Sequence, residues 1–239
     1  MLRRIARRHL PERPRLALAL ARRGWRDRAT GDYRRLAQGK ASGDHSSFRI
    51  ADLSQPIRIT GFVEGKLTNI RLGAERLDGA VIAPGEIFSF WALVGAPSAR
   101  AGFDLGRSIR DGVVGGEVGG GLCQVSGIAY ELLLRAGLAV DERHPHSRDL
   151  YSEAERFTPL GLDATVVWPY RDLRMANRLD VPVTLRFAVE EMTLRAALCA
   201  PRAVPPTEVK IERVDHPGRR HVRVSRDGIL ISDDSYATA

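Results

Sequence analysis

Three consecutive glycines, Gly119-Gly120-Gly121, run directly into Leu122-Cys123-Gln124-Val125-Ser126, and no other feature constrains this chain as much. Glycine adopts backbone conformations that other residues avoid, so the seven glycines from Gly106 to Gly121 predict an irregular loop between Gly95 and Gly121. Val125, Ile128, Ala129, Leu132, Leu133 and Ala136 then recur at helical spacing, which predicts a helix with one buried face, stopped by Gly137. Cys123, Gln124 and Ser126 fall in its first turn. A helix N-terminus offers unpaired N–H groups and a partial positive charge. A thiolate is favoured there, so Cys123 is expected to ionise below the free value of about 8.5. Glycines beside it let a substrate backbone or phosphate approach closely. A cysteine in a first helical turn can equally be inert core.

The second cluster is Arg143-His144-Pro145-His146-Ser147-Arg148. Pro145 favours an extended backbone at His144, and in an extended segment His144 and His146 project to one side. Such a pair can hold a metal or supply a general base with a neighbour that orients it. It can also be two polar residues of a surface loop.

Around these clusters the chain reads as α+β, an antiparallel sheet with a buried helix following the glycine-rich loop. Strands are expected at Ile57–Val63, Ala80–Ala83, Ile87–Phe90, Leu138–Glu142, Asp163–Trp168, Val181–Val189 and Met192–Ala200. Leu67, Ile70, Ala74 and Leu77 predict a helix ending at Gly79, and Pro84-Gly85 a turn. Glu190-Glu191 is expected to join the last two strands. The domain proper starts near Ser47 and is assigned residues 46–200. Residues 201–239 form a linker and a hairpin, His221–Ser225 with Ile229–Ser232, turning at Asp227-Gly228. Cys199 ends an apolar strand and reads as packing.

Residues 1–45 form a basic arm. Residues 1–40 carry 13 Lys/Arg against 3 Asp/Glu, whereas the other 199 carry 24 against 26. The folded part is therefore nearly neutral, which argues against a nucleic-acid partner. A helix from about Arg15 to Ala29 is expected in the arm. It either packs on the domain as a solvated basic helix or lays Leu16, Leu20 and Trp25 on an anionic membrane surface. No stretch approaches the roughly 20 apolar residues of a spanning helix. The Leu16–Ala21 run is too short for a signal peptide. The expected location is therefore cytoplasmic or membrane-peripheral. Two cysteines make no disulfide framework.

Five ordered blocks carry a resemblance. They are Pro84–Phe90 (PGEIFSF), Gly119–Ser126 (GGGLCQVS), Glu142–Ser147 (ERHPHS), Leu160–Val166 (LGLDATV) and Asn177–Val183 (NRLDVPV). Together they resemble the VanW family over roughly Ile57 to Leu198. That family takes its name from an accessory protein of vancomycin-resistance gene clusters, and many members are attached to cell-wall domains. The resemblance implies an envelope or peptidoglycan connection and no particular reaction.

Three readings follow. In the first, Cys123 is the nucleophile of an enzyme acting on an amide or ester of a peptidoglycan precursor. His144 or His146 activates it, and the loop N–H groups with Gln124 hold an oxyanion. The order of cysteine and histidine is similar to that of papain-like peptidases, and Asp163 is a candidate to orient the base. In the second, Gly119, Gly120, Gly121 and Ser126 form an anion site clamped by Arg143 and Arg148, with no catalysis. In the third, Cys123, His144 and His146 bind zinc, although no fourth protein ligand is evident. The chain is expected to work without a metal or cofactor.

Overall fold

The computed structural model describes residues 11–41, 48–59, 61–110, 113–149, 151–205 and 207–238. The expected boundary between arm and domain, at residues 43–47, lies outside them. An α+β fold with antiparallel sheets is what these residues form.

The central sheet has five strands. These are β1 (Gly39–Lys40), β2 (Phe48–Pro56), β3 (Ala80–Ile82), β9 (Val183–Glu190) and β10 (Thr193–Ala200), in the order β1-β3-β9-β10-β2. Strands β9 and β10 pair from Thr193 with Glu190 to Cys199 with Thr184, so Glu190-Glu191 does form their corner. Glu191 sits there with φ of 50°. Helix α2 (Val63–Leu77) and helix α4 (Leu122–Arg135) pack on each other, α2 also against β9 and α4 against β10 and β2. Along α4 the side chains of Val125, Ile128, Leu132, Leu133 and Leu134 are all buried. Each such aliphatic side chain contributes about 1.5–3 kcal/mol relative to exposure, so α4 is the spine of the core. Gly73 of α2 permits the close approach, because a Cβ there would stand 2.8 Å from Leu122.

A second sheet, β4 (Ile87–Ser89), β8 (Arg174–Ala176) and β7 (Ala139–Glu142), places the start of the histidine segment directly after β7. Ser89 caps the short helix α3 (Phe90–Val94) by accepting the Ala92 N–H, so the strand expected through Phe90 ends one residue earlier.

Three further expectations are corrected. Ile57–Val63 is not a strand: the ladder with β10 ends at Pro56, and Val63 already begins α2. Pro56 lies opposite Thr193, where β10 begins. Beyond it the Ile57 N–H bonds only the Met192 carbonyl of the turn, and the alternation that suggested a strand continues into residues that only border it. The loop expected from Gly95 to Gly121 contains a hairpin, β5 (Leu105–Arg110) with β6 (Val113–Val118). Asp163–Trp168 forms no strand among the described residues, where Val167 bridges back to Arg171.

The C-terminal segment is a three-stranded sheet of β11 (Val209–His216), β12 (Arg219–Arg226) and β13 (Ile229–Ala237). The expected hairpin is its β12–β13 half, and β11 was not foreseen. Helix α1 (Glu12–Thr30) covers the expected arm helix and ends at Gly31, whose φ of 78° forms a left-handed cap. Among the described residues no helix is long and apolar enough to cross a membrane.

Candidate functional site

The glycine loop is held by packing. A Cβ on Gly120 would lie 2.2 Å from the Gly106 carbonyl oxygen, and Gly106 meets the Gly120 carbonyl in the same way. The two backbones therefore touch. Asn69 of α2 ties the contact by donating Nδ2 to the carbonyls of Gly120 and Asp104, each at 2.9 Å. Gly119 and Gly121 adopt φ of 86° and 101°, in the region that favours glycine.

This fixed loop aims the first turn of α4. Cys123 is half-buried, and its thiol donates to the Val166 carbonyl at 3.8 Å. Ser126 donates to the Ala164 carbonyl at 2.6 Å. The Asp163–Trp168 segment is thus bound to the start of the helix. Gln124, fully buried, gives its amide N–H to the Pro56 carbonyl at 3.0 Å, and its Oε1 has no partner among the described residues. Gln124 and Ser126 therefore act as ties between elements, and neither side chain opens towards a substrate.

The backbone of His144 accepts the Thr165 N–H at 2.7 Å and brings the histidine segment alongside Asp163. Asp163 then receives His146 twice: Oδ2 accepts the backbone N–H and meets ring Nδ1, both at 2.7 Å. Its other oxygen accepts from Arg143 at 2.9 Å and from the Tyr236 hydroxyl at 2.6 Å. Cys123 is also close enough to His146 to act on its ionisation. Asp163 and His146 are thus hydrogen-bonded, with Cys123 their neighbour on the start of α4.

The electrostatics follow from that arrangement. Burial alone would lower the pKa of His146, but the Asp163 hydrogen bond, the neighbouring Cys123 and the charge of Asp163 raise it to about 10. Burial would raise Asp163, yet the hydrogen bond and charge of His146, the Arg143 guanidinium and the Tyr236 hydroxyl hold it well below the usual carboxylate range. His146 keeps 41% of its side-chain surface exposed, so the ring is reachable from solvent.

The other expected site residues lie apart from this group. His144 turns Nε2 to Glu142 at 3.1 Å. Glu142 also accepts from Arg23, Arg26 and the Asp172 N–H. The two histidines do not share a ligand, and among the described residues no group of three His, Cys, Asp or Glu is placed to hold a metal. Arg143 is buried, spends its donors on Asp163, Asp234 and the Gly161 carbonyl, and stacks 5.2 Å over Tyr130. It orients Asp163 and offers no clamp. Arg148 is exposed and bridges backbone to backbone with Ala237.

Basic residues not singled out in the sequence border the loop instead. A Cβ on Gly121 would lie 2.8 Å from the Lys66 side chain, and one on Gly120 lies 2.8 Å from the Arg107 carbonyl. Lys66 is only 8% exposed and donates to the Arg58 carbonyl at 3.3 Å. Burial, then the charges of Arg107 and Arg58, lower its pKa. Tyr236 and Asp234 were also missed. Both lie far along the chain from Asp163, and only the pairing of β13 brings them back.

The family model described as "VanW like protein" matches residues 65–199. The chain belongs to the VanW family. The matched span contains Cys123, His146 and Asp163, and it excludes Tyr236 and helix α1. Over 118 residues the chain is 36% identical to "Uncharacterized protein YoaR" of Bacillus subtilis (strain 168), covering 49% of this chain and 37% of that protein. Over 119 residues it is 32% identical to "Vancomycin B-type resistance protein VanW" of Enterococcus faecalis (strain ATCC 700802 / V583), covering 50% of this chain and 43% of that protein. The chain thus spans less than half the length of the curated relatives it matches. No solved structure matches it.

Proposed function

We propose that this VanW-family chain is a cysteine-dependent acyl-transfer or hydrolytic enzyme acting on an amide or ester of a cell-envelope precursor. The observation that carries the chemistry is the hydrogen bond of His146 to Asp163, with Cys123 on the start of α4 as the neighbour of that histidine. The envelope setting comes from family membership and from the relative named for vancomycin resistance.

In this reading the proton of the nucleophile is carried by His146 as Cys123 attacks. Its sulfur attacks the substrate carbonyl carbon, forming a C–S bond and moving the carbonyl π electrons onto oxygen. Leu122 and Gln124 give their N–H groups to the Gly119 and Gly121 carbonyls. Among the described residues no carbonyl takes the Cys123 N–H, so it is a donor for that oxyanion. The oxyanion collapses, the C–N or C–O bond breaks, and His146 passes its proton to the leaving group. Water or an acceptor amine then attacks the thioester as His146 takes back a proton, and Cys123 is released. Asp163 keeps the ring oriented throughout, the part a carboxylate plays in other nucleophile–histidine systems.

A second reading, a non-catalytic module holding an anionic precursor group, is favoured by the buried Lys66 beside Gly121. Iodoacetamide labelling of Cys123 between about pH 5 and pH 10, in a Cys199→Ser background, separates the two. Fast alkylation at the acid end, slowed at least about tenfold by His146→Ala and little by His144→Ala, is the expected result. A thiol inert until the protein unfolds overturns the enzyme reading and leaves the binding one.

A further inference from the structure

Helix α1 carries six arginines against Glu12 and Asp27, and Asp27 is sealed against Arg174 at 2.7 and 2.8 Å. The inner face of the helix is therefore spent on the domain, where Arg23 also reaches Glu142 and the Pro169 carbonyl. The outer face is different. Trp25 is 73% exposed and Leu18, seven residues before it and so on the same face, is 45% exposed. Between this helix and the Pro169-Tyr170 turn lies a cleft of about 390 Å³, lined by Arg15, Arg22 and Arg26 with Leu18, Pro169 and Tyr170. Tyr170 stands at its rim, 54% exposed.

Arginine forks match phosphate oxygens, and exposed tryptophan and tyrosine beside basic residues suit the boundary between lipid headgroups and acyl chains. An arginine-lined cleft with exposed Tyr170 at its rim and Trp25 on the neighbouring outer face is not explained by packing, because both rings turn most of their surface to solvent. We infer that the outer face of α1 and this cleft dock on a membrane surface bearing anionic phospholipid, with a lipid phosphate held by Arg15, Arg22 and Arg26 while Trp25 and Leu18 enter the interface. The inference stands independently of whether Cys123 is catalytic.

The experiment uses the full chain with vesicles of phosphatidylcholine alone, or of equal parts phosphatidylcholine and phosphatidylglycerol. Co-sedimentation and tryptophan emission are read together. Trp91 is buried and Trp168 half-buried, so a shift on vesicle binding reports Trp25 and disappears in Trp25→Phe. Binding to the anionic vesicles only, with a blue shift, and at least about a hundredfold weaker partition in the double variant R15E/R22E, is the expected result. Arg15 and Arg22 are exposed, so the double variant keeps the fold, which unchanged unfolding by urea verifies. Equal affinity for both vesicles, no binding, or binding unchanged in R15E/R22E overturns the inference. Displacement from vesicles by millimolar inorganic phosphate alone also overturns it, since the site would then hold the free ion. A preference for single-stranded nucleic acid over anionic vesicles does the same.

Discussion

At the scale of single residues, Asp163 organises the site. It takes four hydrogen bonds and spends every one on orientation, two on His146, one on Arg143 and one on Tyr236. The pairing makes a pH dependence. His146 has a folded pKa raised to about 10, above the roughly 6.5 of an unfolded histidine. Its contribution to stability is full below about pH 6.5 and is lost as pH climbs towards about 10. Asp163 has the opposite sign: its contribution is present above the ordinary carboxylate pKa of about 3.9 and is lost as pH falls. The urea midpoint should therefore be highest between those limits. In His146→Gln the alkaline decline should flatten, and an identical alkaline slope in both proteins would refute the pairing. Residue type and order single out Cys123, His144 and His146, with Asp163 as a candidate to orient the base. That His146 bonds Asp163 while His144 turns to Glu142 was not legible, because alternation puts both rings on one side and long-range contacts decide between them. Arg143 illustrates the same limit. Its sequence neighbours suggest an anion clamp, but three long-range acceptors claim it.

Elements place these residues by touching backbone to backbone. The glycines that suggested a formless loop instead let β5 and β6 form a hairpin and bring Gly106 against Gly120. Composition conceals this, because a glycine chosen for close approach and one chosen for an unusual φ look the same in a sequence. Gly120→Ala distinguishes them. Its Cβ would meet a carbonyl oxygen at 2.2 Å, with backbone on both sides and no side chain free to yield. The expected loss is about 3 kcal/mol by urea unfolding, accompanied by slower Cys123 alkylation in the folded protein. A cost under about 0.5 kcal/mol would show that the loop is soft. The helices α2 and α4 and the β9–β10 corner, by contrast, were readable, since their apolar periods and punctuating glycines are local. Strand β8 and strand β11 were not, because Arg174–Ala176 is too short to show a period and Val209–His216 is mostly exposed.

Across the whole molecule, two segments outside the matched family span complete the structure around the site. Helix α1 supplies Asp27 to Arg174 and Arg23 to Glu142, the carboxylate that His144 also meets. Asp27→Asn is expected to cost about 3 kcal/mol by urea unfolding, near the low end for breaking a buried pair, since Asp172 still holds Arg174 at 3.1 Å. A cost near zero would mean that the helix does not depend on this contact for its place. The C-terminal sheet closes the other side through Tyr236, which lies 73 residues beyond Asp163. That distance sets an order of events during synthesis. A ribosome that has just completed Asp163 has not yet made the hydroxyl that braces it. The nascent protein holds Asp163 by its other partners until the final strand emerges, and a product cut short before it would be released without the full brace.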